Sequence, residues 1–215
     1  MPPPRSASAL RSLTAARARE LLAGDALAID LRPVGEYLAG HIHGSIPLLF
    51  EPGPGLGGRA RDLLPLEAHL VLLDDGVSPL ERAADSFRGK GFDVIGALAG
   101  GVKAWKDPLV TTPVIQLADA ADVLALVNVS DPGTVLPPGP GVGASIPVER
   151  LWDKAGELGR NWNLGVLAGY GVRAAAAVGI LEKLGFTKLT FVRTRRPGER
   201  PPMAPPVVFR AGGPA

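Results

Sequence analysis

The strongest constraint on this chain is that it repeats itself. The segment DDGVSPLERAADSFRGKGF (Asp74–Phe92) aligns without gaps to AGYGVRAAAAVGILEKLGF (Ala168–Phe186), an offset of 94. Each copy follows a short apolar run and ends in Gly-Phe ahead of another. GSIP (Gly44–Pro47) has a counterpart in GASIP (Gly143–Pro147), and AIDLR (Ala28–Arg32) in LVNVS (Leu126–Ser130), at slightly larger offsets. A period of this length is too long for a solenoid, whose repeats run to about 50 residues. It calls for two copies of one small unit, and 215 residues accommodate two units of about 100.

Short apolar runs alternate with helical patterns. Ala26–Leu31, Leu70–Leu73, Val94–Leu98, Ala125–Val129, Leu164–Leu167 and Leu189–Val192 read as buried parallel strands, largely apolar and bounded by turn residues. Leu80–Lys90 and Ala174–Leu184 read as helices. The alternation predicts an α/β fold: two units, each a small parallel sheet with helices on both faces. Gly and Pro concentrate at residues 52–58, 131–143 and from Arg195 onward, which are expected to be loops or extended linkers. Near the start, Thr14 is positioned to cap a helix, Leu21 and Leu22 to face a core and Gly24 to end it. The expected organisation is a flexible lead at 1–9, a first unit at 10–112, a second at 113–195 and a Pro/Gly-rich tail at 196–215.

Composition removes several function classes. Lys and Arg total 23 against 21 Asp and Glu, too balanced for a nucleic-acid binder. With no cysteine, the chain can form no disulfide, thiolate metal site or thiol nucleophile. No apolar run reaches the 18 or so residues of a membrane span. The opening residues lack a signal-peptide core. A cytoplasmic protein is expected, and the excess of Arg over Lys suggests a bacterial source.

Two segments carry a family likeness. DLRPVGEYLAGHIHGSIP (Asp30–Pro47) resembles the opening signature of rhodanese domains, and GFDVIGALAGGVKAW (Gly91–Trp105) their closing one. AGYGVRA (Ala168–Ala174) is similar to the rhodanese loop C-x-x-G-x-R-[ST]. The likeness covers about residues 10–195. It implies tandem rhodanese-like domains, whose members move a sulfane sulfur from a donor such as thiosulfate to a thiophilic acceptor. In the family the first loop residue is the cysteine that carries the persulfide. Asp74 stands there in the first half and Ala168 in the second. Pro79 replaces the loop arginine in the first half. The second keeps Gly171 and Arg173, but lacks the G-G-x-x-A-W ending, which leaves its last strand and helix open.

Sulfur transfer by double displacement needs an atom that attacks sulfur and then holds it, as a thiolate does. A methyl group has no lone pair, and a carboxylate forms no persulfide. The leading expectation is therefore a catalytically silent module that binds, scaffolds or regulates. The alternative is a rhodanese-type sulfurtransferase whose cysteine at position 168 has been replaced. No catalytic residue, metal or cofactor is expected. Gly169, Tyr170, Gly171, Val172 and Arg173 could still cradle a small anion at a helix N-terminus. Equally, Arg173 could pair with a nearby carboxylate. The partner is then a small anion or a protein, with no nucleic acid and no membrane. In the first half Asp74 and Asp75 would repel anions, and one of them could cap the next helix. His41 and His43 lack further ligands for a metal, so His41 is expected to make a structural hydrogen bond. Trp105, Trp152 and Trp162 are expected to be core or half-buried packing residues.

Overall fold

The structure is a computed structural model and describes residues 9–50, 55–74, 76, 79–120, 125–134, 136, 141–169 and 171–194. The chain runs β1 (Ser12–Leu13), α1 (Ala15–Ala23), β2 (Leu27–Asp30), α2 (Val34–Ala39), β3 (Ile46–Pro47), α3 (Gly55–Leu63), β4 (His69–Leu73), α4 (Leu80–Arg88) and β5 (Asp93–Leu98). It continues as β6 (Val114–Gln116), β7 (Ala125–Asn128), β8 (Ala144–Ser145), α5 (Leu151–Lys154), β9 (Leu164–Leu167), α6 (Gly171–Lys183) and β10 (Leu189–Arg193). The strands make two five-stranded sheets, both parallel throughout. Their orders are β1-β5-β4-β2-β3 and β6-β10-β9-β7-β8, the same order position for position. This is the α/β architecture expected from the sequence. No helix among the described residues is long and apolar enough to cross a membrane.

The apolar strands bury both faces, as parallel sheets must. In the first sheet Leu27, Ile29, Leu70 and Leu72 point to one side, while Ala28, Val71 and Leu73 meet Ala18 of α1 on the other. In the second, Val127, Leu164, Val166 and Phe191 point inward, and Leu126, Leu167 and Val192 outward. The inward faces of both sheets belong to one continuous core. Helix α6 runs through it. From Ala174 to Leu181 its sequence is apolar on every side, the mark of an enclosed stretch of helix, and its residues from Ala174 to Glu182 are all buried. It packs on β9 and β10 of its own sheet and on β3 and α2 of the other.

Several elements differ from the sequence reading. The Pro/Gly-rich stretch at 52–58 is not all loop: α3 begins at Gly55, while residues 52–54 lie outside the described residues. Leu56, Gly57, Ala60 and Leu63 are buried, α3 lies against α4, and the Gly57 N–H donates to Ser86 Oγ at 3.0 Å. Tertiary packing here overrides the poor helix propensity of glycine. The two Ser-Ile-Pro segments contribute edge strands, β3 and β8, which is why Pro47 is tolerated. The last strand of the second half, left open by the sequence, is present as β10 between β9 and β6. The cap of α1 is as expected: Thr14 Oγ1 accepts the Arg17 N–H, and the helix ends at Gly24. The lead at 1–8 and the tail lie outside the described residues.

Candidate functional site

In open α/β sheets ligands bind beyond the carboxyl ends of the strands. Two loops leave there at equivalent places: one from β4 at Asp74, the other from β9 at Ala168.

At the first loop Asp74 is buried, and its carbonyl accepts the Val102 N–H at 3.0 Å. Gly101 lies against it with φ of 60°. A Cβ there would stand 2.2 Å from the Asp74 carbonyl oxygen. Only glycine adopts that backbone at that approach, which explains the Gly100–Gly101 pair of the closing signature. A cavity of about 410 Å³ opens beside it, edged by Arg11, Asp74, Glu81 and Gly100. Glu81 accepts the Leu10 N–H at 3.1 Å. The N-cap of α4 is Pro79, with no side-chain cap; Asp75 lies outside the described residues.

The opening signature builds the frame behind this loop. Asp30 is fully buried and takes Arg32 Nη2 at 2.7 Å and Nε at 3.0 Å, while the Arg32 N–H donates to Asp30 Oδ1 at 3.1 Å. Arg32 Nη2 also reaches the Gly40 carbonyl at the end of α2. The Tyr37 hydroxyl donates to the Ser45 carbonyl at 2.8 Å, and its ring stacks on His41 at 3.9 Å. Burial pushes the Tyr37 hydroxyl well above its usual pKa, with Glu182 and Asp30 adding to the shift. His41 makes the structural hydrogen bonds expected of it, but one partner, Glu182, comes from the other half. His43 is exposed.

At the second loop Ala168 is buried, and its carbonyl accepts the Thr194 hydroxyl at 2.9 Å. The Gly169 N–H donates to Ser130 Oγ at 2.9 Å. The Ser130 N–H donates to Asn128 Oδ1 at 3.0 Å, repeating in neutral form the turn that Asp30 and Arg32 make. Helix α6 starts at Gly171, Val172 is exposed, and Tyr170 lies outside the described residues. Arg173 Nη2 lies 2.5 and 2.7 Å from the two oxygens of Glu149 and 3.1 Å from Asp131 Oδ1. Of the two roles the sequence left open for Arg173, pairing with carboxylate is the one the structure displays.

Sequence reasoning missed Glu149. The internal repeat held a signal, since Glu149 stands two residues after Ser-Ile-Pro, where the first half has Leu49. The two sheets put these residues around one cavity of about 220 Å³, with Leu48, Arg59 and Leu63 from the first half facing Glu149, Val172 and Arg173 from the second. Trp152 ties the same seam by donating its indole N–H to the Leu63 carbonyl at 2.8 Å. Trp105 is partly buried under Arg19. Trp162 departs from expectation: it is 56% exposed and covers Gly159 at a turn. Among the described residues no group of three or more His, Cys, Asp or Glu side chains could hold a metal ion.

Comparison with known families places this frame. Residues 14–108 match the model of the rhodanese-like domain. That match spans a little under half of the chain. Comparison with curated proteins gave no match. Among solved structures the chain is similar to the Alr3790 protein from Anabaena sp., at 24% identity over 46% of this chain and 81% of that one, with a TM-score of 0.41. It is also similar to SseA from Escherichia coli, a 3-mercaptopyruvate sulfotransferase, at 18% identity over 84% and 96% of the two chains, TM-score 0.40. A third is the thiosulfate sulfurtransferase from Pseudomonas aeruginosa, at 19% identity over 87% of this chain and 44% of that one, TM-score 0.40.

Proposed function

We propose that this is a tandem rhodanese-like protein, with units at 10–112 and 113–195, that has no sulfur-transfer chemistry and acts in the cytoplasm by binding. One observation carries the reading. The two residues at the heads of the strand-end loops, where a rhodanese needs its cysteine, are the buried carboxyl of Asp74 and the buried methyl of Ala168, in a chain with no cysteine. Losing a covalent nucleophile removes the route by which such chemistry is accelerated. The shared strand order of the two sheets supports the tandem assignment.

The anion cradle at Gly169, Tyr170, Gly171, Val172 and Arg173 is part of the proposal, as a weak site. An incoming anion gains the N-terminus of α6 and the Arg173 fork, but it competes with Glu149 and Asp131 for that fork.

The test is the thiosulfate:cyanide assay on the purified full chain. The expected result is no turnover above the protein-free background. Turnover at ordinary enzyme rates, about 1–1,000 per second, would overturn the reading. The Ala168→Cys variant separates a disarmed pocket from a degenerate one. Persulfide on that cysteine favours a sulfurtransferase whose nucleophile was replaced; none favours a module remade for binding.

A further inference from the structure

The donors of the second loop already have oxygen atoms on them. The Gly169 N–H donates to the hydroxyl of Ser130, a buried residue, at 2.9 Å. Nη2 of Arg173 lies 2.5 and 2.7 Å from the two oxygens of Glu149 and 3.1 Å from Oδ1 of Asp131. The Arg173 side chain is largely buried, and its Nε has no hydrogen-bond partner among the described residues. An oxyanion beside an arginine at a helix N-terminus calls on these same donors. The internal repeat supplies a control. At the places of Ser130, Asp131 and Glu149 the first half has Arg32, Pro33 and Leu49, and at the place of Arg173 it has Pro79. The three acceptors and the arginine occur together in one half and are all missing from the other.

We propose that Ser130, Asp131 and Glu149 form an autoinhibitory plug in the second loop, standing in for the oxygens of a small oxyanion of the sulfate or phosphate kind. The inference rests on the reading of Gly169–Arg173 as an anion cradle and adds what governs it. Charge decides the outcome. One guanidinium faces two carboxylates, so an approaching anion meets a net negative cluster even where it reaches a nitrogen other than Nη2. The surroundings do not reverse that sign. Across the seam cavity of about 220 Å³, Arg59 gives Nη2 to the Leu49 carbonyl, and Asp62 brings a further carboxylate. The plug is also releasable. The side chains of Glu149 and Asp131 keep 29% and 65% of their surface exposed. Either can turn into water and leave the arginine to a ligand, without the desolvation cost that locks a fully enclosed pair. The seam cavity, lined by Glu149, Val172 and Arg173, is the way in.

The test is a sulfate titration of the isotope-labelled full chain at low ionic strength, where charge effects are least screened. It is followed by NMR at the Val172 and Arg173 amides and the Arg173 Nε–H. Affinity should rise in steps. Glu149→Gln should bind sulfate about tenfold more tightly than the parent, the change one charge-assisted hydrogen bond carries. Glu149→Gln with Asp131→Asn should bind more tightly still, and adding Arg173→Gln to that pair should abolish the gain. Equal affinities in the parent and both variants, with shifts at Val172, would leave the cradle standing and reduce the acids to a structural pair, overturning the plug. No shift in any variant overturns the plug and the cradle together. A gain that survives Arg173→Gln puts the anion elsewhere and also overturns it. Should Glu149→Gln not fold, Asp131→Asn alone carries the test from its exposed side chain: a smaller gain supports the plug, and no gain refutes it.

Discussion

Replacing Gly179 with alanine should loosen the whole molecule, not one half of it. Gly179 lies in the enclosed part of α6 where the helix crosses β3 of the other sheet. A Cβ there would stand 2.2 Å from the Ser45 carbonyl oxygen and 3.0 Å from both Ser45 C and Ile46 Cα. These are backbone atoms, so no rotamer change removes the clash. Ordinary contact begins near 3.4 Å, so the helix must back away from β3 by about 1 Å, a gap that forfeits a quarter to a half of each contact it opens. Overpacking of this kind costs about 1–3 kcal/mol. The rigid neighbours put this case at the upper end. Alanine returns about 1 kcal/mol of helix propensity, leaving a net loss of about 2 kcal/mol. For a chain of this size that is a Tm lower by about 4–8 °C. Urea unfolding followed by tryptophan fluorescence and far-ultraviolet circular dichroism would measure it. One transition, displaced as a whole, is expected, because the inward faces of both sheets share a core. A variant as stable as the parent would refute the close approach. Two transitions with one unmoved would refute the shared core.

Neighbouring glycines of α3 should respond with opposite signs. Gly57→Ala places a Cβ 2.3 Å from the Ser86 carbonyl oxygen and should destabilise, whereas Gly58→Ala meets nothing within 4 Å and should stabilise by about 0.5–1 kcal/mol; equal effects in chemical denaturation would contradict the placement of the helix. Asp30→Asn removes one charge of a buried bidentate pair and should cost about 3–5 kcal/mol, read from the same unfolding curves. Tyr37 should form no tyrosinate while the chain is folded. Its hydroxyl is held well above the usual value, chiefly by burial, so the folded state keeps a proton the unfolded state gives up. Stability from this group is intact below about pH 10 and falls as pH rises past it. An alkaline absorbance titration in which Tyr37 ionises before unfolding would be inconsistent with that burial.

The three central strands of each sheet were legible because a parallel strand buried on two faces is largely apolar, as Leu70–Leu73 and Leu164–Leu167 are, whereas the short outer strands β1, β3, β6 and β8 were not. The cap at Thr14 was legible because its chemistry is local. Helix α3 was not, because what makes Gly55–Leu63 helical is the closeness of Gly57 to Ser86, a contact distant in sequence. The same holds at the candidate site. The missing cysteine and the retained Arg173 are visible in the letters, but Glu149 and Asp131, which hold that arginine, are not adjacent to it.

The sequence by itself determined two α/β units and the absence of a thiol at either loop, since periodicity and residue chemistry are properties of the chain alone. Only the tertiary structure decided that the units share a core around α6, that His41 meets Glu182, and that Glu149 and Asp131 hold Nη2 of Arg173. Each of these depends on which faces meet, and burial in a common interior is a property of the packed pair, absent from either unit's pattern.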